Sequence, residues 1–385
     1  MVNFDQEYDV YVTSEVGDFS VGGVSFWVDN WIRYVVPHLR VKPILIIEVE
    51  SSYRWIQYAK SSVLVLDRPG TEHKYEWKYP GLQLENYFSL PTTEYTDKII
   101  KNARKVHLLS CPYSALYKKT TKEAIEKYGN IDSIVCHSSQ RETSGVSKRK
   151  FHYRRARERF GQNQRIEFHD GLNEIAKETV WIGVNERDES DHHIPNFYKF
   201  KHNLKAIDSN VVGYAARSEA RKNFHYLQNI KSIALTKSDV IDYWESMFKK
   251  KIKFNNVTVD PYSRGKVEKF YGSFKWGIFH GAYVKEPFGY SIFQAVDYGK
   301  IPIISKDWCK DMDYPFRANT VKQFETQVAK IKELSVKERD TYLEKLRSYL
   351  SKFSSEIEWR DKFLSIYNKS EDGTWLPGKL QPSSL

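Results

Sequence analysis

Short runs of β-branched and apolar residues alternate along this chain with longer stretches whose apolar positions recur at helical spacing. In the first half the short runs are Asp9–Thr13, Pro43–Glu48, Ser62–Leu66, Val106–Ser110 and Ser133–His137. Ser25–Val36, Tyr95–Lys105 and Ala115–Tyr128 lie among them and carry the helical period. This rhythm predicts βα units and parallel sheets. Asp188–Asn203 breaks it, with a polar start and neither period, and marks the approach to a domain boundary. A second series follows, with strands expected at Asn210–Tyr214, Ser232–Leu235, Val257–Val259, Trp276–Phe279 and Ile301–Ile304. Val321–Asn368 reads as helical and charged, and 369–385 as a Gly-, Pro- and Ser-containing strap. No internal repeat is evident.

The fold class expected is therefore α/β, with domains at 1–203 and 204–354. A length of 385 residues suits two domains. Composition changes this picture little: 41% hydrophobic and 28% charged residues are ordinary for a globular chain. No apolar run reaches the ~20 residues that span a bilayer. The start, Met1–Glu7, is polar and acidic, unlike a signal peptide. Cys111, Cys136 and Cys309 form neither a disulfide framework nor a zinc spacing, so a reducing, cytoplasmic setting is expected. The net charge of +11 is concentrated: residues 141–165 hold nine Lys/Arg against two Glu, which is +7 of the total. Within that block, 148–165 has a thin apolar stripe of Phe151, Ala156 and Phe160. It suits a solvated helix, peripheral contact with anionic lipid, or contact with DNA phosphates.

Three motifs carry candidate chemistry. Gly17 to Ser25, with the pair Gly22-Gly23, follows the first strand and opens a helix, where backbone N–H groups favour an anion. A plain strand–helix turn is the alternative. The second is Val212-Gly213-Tyr214-Ala215-Ala216-Arg217-Ser218-Glu219-Ala220-Arg221-Lys222-Asn223. Arg217 falls at a strand's carboxyl end and Lys222 in the first turn of an expected helix, so both can reach one pyrophosphate. Cations are unfavourable at that end of a helix dipole, which points to an anionic partner; two solvated cations are the alternative. The third runs from Glu286-Pro287-Phe288-Gly289-Tyr290 through Gln294 to Gly299-Lys300-Ile301-Pro302. It reads as loop, helix and buried strand. Glu286 can accept hydrogen bonds from sugar hydroxyls, Gly289 frees N–H groups at the helix start, and Gln294 is expected two helical turns later on the same face.

Together the second and third motifs resemble the family-4 glycosyltransferases, including virus-encoded members such as the phage DNA α-glucosyltransferases. That family's second domain carries Gly-Tyr-x-Gly-Arg-x-x-x-x-Lys-Gly, then Glu-Pro-Phe-Gly with a second Glu eight residues after the first. Ile194-Pro195-Asn196 also looks like its entry to the second domain. The likeness covers 194–305; the glycine turn and the strand rhythm extend it to the first half. It implies a GT-B architecture, two Rossmann-like domains facing a central cleft, with residues 355–385 crossing back onto the first domain.

The resemblance further implies a retaining transferase that uses a nucleoside-diphosphate sugar. Arg217 and Lys222 would clamp the diphosphate, and Glu286, Pro287, Phe288, Gly289, Tyr290 and Gln294 would hold the donor. Gly22 and Gly23 would close over the phosphates. There are departures. Gln294 replaces the second Glu, Asn223 replaces the Gly after the lysine, and Val296-Asp297-Tyr298 stands where small residues precede the Gly. Ser110-Cys111-Pro112-Tyr113 occupies the place of the family's first-domain His, which leaves His137 as the candidate contact to donor sugar or acceptor. A histidine simply bonded at a strand end is the alternative there.

The activity expected is transfer of a hexose, glucose from UDP-glucose, to a hydroxyl of a glycan or glycoprotein. No tightly bound cofactor is expected, and Mg or Mn is compatible but not demanded. Two alternatives stand: glucosylation of hydroxymethylated DNA bases, with contact through 148–165, and a non-catalytic nucleic-acid-binding protein on a degenerate transferase fold. Asp311-Met312-Asp313 and Asp191-His192-His193 read as a solvated acidic loop and a polar linker rather than metal sites.

Overall fold

The computed structural model describes residues 7–13, 23–47, 62–66, 84–88, 99–109, 131–137, 176–186, 190–217, 220–249, 251–284 and 286–369. Contacts divide the chain into two compact units. One comprises Met1–Ile182, Glu186–Ile194 and Glu356–Leu385; the other comprises Gly183–Asn185 and Pro195–Ser355. The basic block 148–165 and the expected helix Ala115–Tyr128 lie outside the described residues.

In chain order the first unit holds β1 (Tyr8–Thr13), α1 (Gly23–Tyr34), β2 (Lys42–Ile47), β3 (Ser62–Leu66), β4 (Leu84–Phe88), β5 (Lys105–Leu108), β6 (Ile131–Cys136), β7 (Ala176–Trp181) and β8 (His192–His193). The second unit holds β9 (Val212–Ala215), β10 (Ser232–Thr236), α2 (Val240–Met247), β11 (Val257–Pro261), α3 (Val267–Tyr271), β12 (Ile278–Gly281), α4 (Tyr290–Asp297), β13 (Ile301–Ile304), α5 (Val321–Glu333) and α6 (Val336–Leu350). The last described helix, α7 (Glu356–Tyr367), belongs again to the first unit.

The first sheet runs β4-β3-β2-β1-β5-β6-β7-β8. The six strands from β2 to β8 are mutually parallel, while β3 and β4 add to the edge antiparallel. All six residues of β1 are buried, as expected of a central strand covered on both faces. Its buried carboxylate, Asp9, is neutralised by Arg104, whose Nη2 and Nε donate at 2.5 and 2.9 Å. Trp27, Val28, Trp31, Ile32 and Val35 repeat at helical spacing and are buried. On that stripe α7 packs aromatic residues edge-on: Trp359 and Phe363 against Trp27 at 6.1 and 5.5 Å, and Tyr367 against Trp31 at 6.2 Å.

The second sheet is wholly parallel, in the order β11-β10-β9-β12-β13. Gly213 sits in β9 because the Trp276 ring lies against it: a Cβ there would fall 2.3 Å from Trp276 Cε3. The expected helical tail is three helices, separated where Ser335 and Glu338 form a reciprocal capping box at the start of α6 and where a short 3-10 turn, Ser351–Phe353, follows it.

Residues 195–203, read from sequence as part of the first domain, belong to the second unit. The Tyr198 ring packs on Phe293 at 5.6 Å, and Tyr198 N–H bonds Phe353 O at 2.9 Å. The fully buried Asp297 carboxylate accepts Tyr198 O–H at 3.1 Å and the consecutive N–H groups of Lys201, His202 and Asn203 at 3.1, 2.8 and 3.1 Å. Asn203 is left-handed, φ 47°, which turns three successive N–H groups toward one anion.

Candidate functional site

In the second sheet the strand order reverses between β9 and β12, and ligands of such sheets bind outside the carboxyl ends of the strands at that point. The chain leaving β9 is pinned there. Ala216 O accepts Thr236 Oγ1–H at 2.7 Å, Arg217 O accepts Tyr214 O–H at 3.1 Å, and Ala215 O accepts Tyr283 O–H at 3.4 Å. Arg217, partly exposed, stands two residues beyond the strand end. The α-helix expected next is absent. The chain makes a 3-10 turn at Ala220–Lys222, a left-handed residue at Asn223, and a second 3-10 turn at Phe224–Leu227. Lys222 is thus placed by a turn and not by a helix start.

The Lys222 ammonium donates to Glu286 Oε2 and lies 4.3 Å from the centroid of the Tyr283 ring. Both charged side chains are largely buried, at 12% and 14% exposure. Burial drives the Tyr283 hydroxyl well above its ordinary range, so it stays a neutral donor. The Glu286 loop is held from several sides. Pro287 O accepts Val184 N–H at 2.8 Å, Phe288 O accepts Trp308 Nε1–H at 2.9 Å, and the Phe288 ring stacks on Phe293 at 4.4 Å. Gly289 caps α4 at φ 80°, ψ 53°. A Cβ on it would meet Ile292 Cδ1 at 3.0 Å and Glu286 Cγ at 3.2 Å, so glycine serves both conformation and space here. The first turn of α4 follows directly, with Ile292 N–H bonded back to Gly289 O at 2.8 Å. Tyr290 and Gln294 stand one turn apart on α4, both partly exposed. The expectation that Gln294 shares a helical face with Glu286 is corrected: Glu286 precedes the Gly289 cap and lies outside the helix.

A cation, a carboxylate and the Gly289 cap of α4 thus lie together beyond the strand ends. The set can neutralise a phosphate and accept hydrogen bonds from hydroxyls.

No protein-family model matches the chain, and no curated protein sequence does. Solved structures do. Sucrose-phosphate synthase from Thermosynechococcus elongatus superposes with a TM-score of 0.59 over 94% of this chain and 98% of its own, at 13% identity. WaaG, a glycosyltransferase involved in lipopolysaccharide biosynthesis, gives 0.55 over 94% and 100%, at 11% identity. An α-glucosyltransferase in complex with UDP and a 13-mer DNA containing a central A:G mismatch gives 0.51 over 94% and 99%, at 12% identity. The fold is GT-B. At these identities the likeness fixes architecture, and the reaction must be argued from the site.

Of the GT-B chain's first-unit candidates, Gly22 lies outside the described residues and Gly23 opens α1. His137, just past β6, is buried; its Nε2 bonds Leu109 O at 2.8 Å and its ring meets the Trp27 edge at 4.9 Å. Burial lowers its pKa to about 4, so the imidazole is neutral and Nε2 carries the proton toward the carbonyl. Asp191 serves β7, accepting Thr179 N–H at 2.7 Å, and His192 and His193 form the edge strand β8, not a loose linker. Within Asp311-Met312-Asp313, Met312 is buried in a loop whose carbonyls converge on the Arg317 guanidinium. Among the described residues no group of three or more His, Cys, Asp or Glu could hold a metal ion. Among them, too, no helix is long and apolar enough to cross a membrane.

Sequence reasoning missed Tyr283 and Trp308, because no spacing ties either to the motifs. Asn223 could have been read as left-handed, since Asn is the residue that most readily replaces Gly there.

Proposed function

We propose that this protein is a retaining glycosyltransferase that moves a hexose, glucose from UDP-glucose, to a hydroxyl of a glycan or glycoprotein. The observation that carries the reading is the Lys222–Glu286 pair beside the Gly289 cap, at the switch point of a GT-B second sheet. Arg217 and Lys222 hold the diphosphate and stabilise the charge that develops on it as the glycosidic bond breaks. An ammonium has three donors, so Lys222 can keep Glu286 while binding phosphate. Glu286 and the backbone at Phe288–Gly289 hold the sugar, and Tyr290 and Gln294 line the ribose side. The acceptor attacks on the leaving-group face, and the departing phosphate oxygen takes its proton, so no protein base is needed and a divalent metal is not demanded.

The test is turnover of UDP-glucose in the presence of acceptors, read by UDP release and by NMR of the anomeric product. An α-linked product that disappears with Glu286→Ala supports the reading; an inverted product, or turnover unaffected by the substitution, refutes it. One similar structure holds UDP and DNA, and this chain carries the +7 block, so a duplex with hydroxymethylated bases belongs among the acceptors. Glucosylation of that duplex, weakened by salt and by replacing Arg154, Arg155 and Arg157, would move the acceptor class to DNA. Salt-sensitive duplex binding without turnover would instead favour the non-catalytic reading.

A further inference from the structure

The lysine of the diphosphate clamp sits on a turn that is bonded, residue by residue, to the end of β12. Arg221 O accepts Val284 N–H at 2.8 Å. Asn223, one residue after Lys222, donates from Nδ2 to Ala282 O at 2.8 Å. Asn223 O accepts His280 Nε2–H at 3.0 Å, and the other ring nitrogen, Nδ1, accepts Ala282 N–H at 3.3 Å. These two bonds define one tautomer. The ring is completely buried, stacked on Tyr226 at 5.6 Å with 5° between planes and 4.5 Å from Phe324, and burial lowers its pKa to about 3, which keeps it neutral. Asn223 itself is 6% exposed and left-handed at φ 52°, ψ 37°.

Lys222 is thus held between two anchored neighbours, while its own side chain has four rotatable bonds and a single charge to aim. A left-handed glycine at 223 would supply the turn. It would not supply the amide that ties the turn to Ala282.

We propose that Asn223 and His280 are positioning residues: together they lock the 221–223 turn onto the end of β12 and so aim the Lys222 ammonium at the phosphates of the donor. The inference rests on the donor reading of this site. It assigns to this chain a substitute for the glycine that follows the lysine in the motif it resembles.

Two measurements on the full chain test it. The first needs no ligand: the rate at which acetic anhydride labels Lys222, read by mass spectrometry. Asn223→Gly, which keeps the backbone conformation but loses the tie to Ala282, should label faster by roughly three-fold; Asn223→Ala, which loses the tie and is strained at positive φ, and His280→Phe, which lacks the donor, should label faster by roughly ten-fold. Equal labelling in all four proteins overturns the lock. The second is UDP affinity in a double-mutant cycle of Asn223→Ala with Lys222→Ala. If Asn223 acts through Lys222, its roughly ten-fold loss vanishes once the lysine is gone. An undiminished loss in the Lys222→Ala background overturns the proposal. Absence of UDP binding by the parent would count against the donor reading alone, and the labelling experiment would still decide the lock. Should Asn223→Ala fail to fold, Asn223→Gly and His280→Phe carry both measurements.

Discussion

Replacing Asp297 with alanine should loosen the segment that leads into the second unit while leaving the donor site intact. The carboxylate is fully buried and accepts three consecutive backbone N–H groups, at 3.1, 2.8 and 3.1 Å, and Tyr198 O–H at 3.1 Å. Hydrogen bonds to a charged group contribute about 1.5–3 kcal/mol each when removed singly. They are not additive in one cluster, and Lys201, His202 and Asn203 are exposed, so water can replace part of what is lost. Removing a buried charge also relieves its desolvation cost. The net expectation is a loss of about 2–4 kcal/mol, which for a unit of this size lowers Tm by roughly 4–16 °C. Asp297→Asn, which keeps one oxygen, should lose about half as much. The assay is urea and thermal unfolding of the parent and both variants, with UDP titration as control. Asp297 ends α4 and Gly289 caps its start, about 12 Å away by helical rise, so UDP affinity should change less than about three-fold. A Tm within about 1 °C of the parent would refute the claim that this carboxylate organises residues 198–203.

Two other perturbations follow from the same geometry. Gly289→Ala places a side chain at φ 80° and a Cβ 3.2 Å from Glu286 Cγ; it should cost about 1–3 kcal/mol in urea unfolding and weaken UDP-glucose binding roughly ten-fold. Unchanged affinity would detach Glu286 from the donor. In acid, His280 stays neutral in the fold down to about pH 3, whereas the unfolded chain protonates it near 6.5. Between those values the unfolded state binds the extra proton, so stability falls as pH is lowered, by up to about 1.4 kcal/mol per pH unit from this residue. Going from pH 7 to 4.5, the parent should therefore lose about 2–3 kcal/mol more than His280→Gln, whose side chain does not titrate; equal losses would contradict a neutral, buried His280.

Much of this architecture is legible in the sequence, and the places where reading fails have physical causes. Four strands of the second sheet are short, largely apolar runs because a parallel sheet is covered on both faces, while the edge strand β11, Val-Thr-Val-Asp-Pro, is not buried and is marked by its β-branched residues. In the first sheet β4, with the sequence Leu-Glu-Asn-Tyr-Phe, and β7, Ala-Lys-Glu-Thr-Val-Trp, interleave polar residues and escape that test. The two residues of β8 are too few for any period. Ser218 to Lys222 suggested a helix only through what surrounds it. The segment has no apolar face, and the left-handed Asn223 ends any helix there. Gly289, Glu286 and Lys222 were found by motif, while the fit between them required coordinates. Both departures that look damaging in sequence have a structural reason: Asn223 adopts the backbone conformation a glycine would, and Asp297 replaces a small residue in order to bind the 201–203 amides. Gln294 keeps a hydrogen-bonding amide, partly exposed, one turn into α4.

The central claim is that this site binds a nucleoside-diphosphate sugar through Arg217, Lys222 and Glu286. Calorimetric titration with UDP, UDP-glucose, GDP-mannose and ADP-glucose, repeated on Arg217→Ala, tests it most directly. The account predicts that the parent binds UDP and UDP-glucose in preference to the other two, and that Arg217→Ala weakens both at least ten-fold while its Tm stays within about 2 °C of the parent. Absence of binding by any of the four nucleotides, or equal binding by parent and variant, would contradict it.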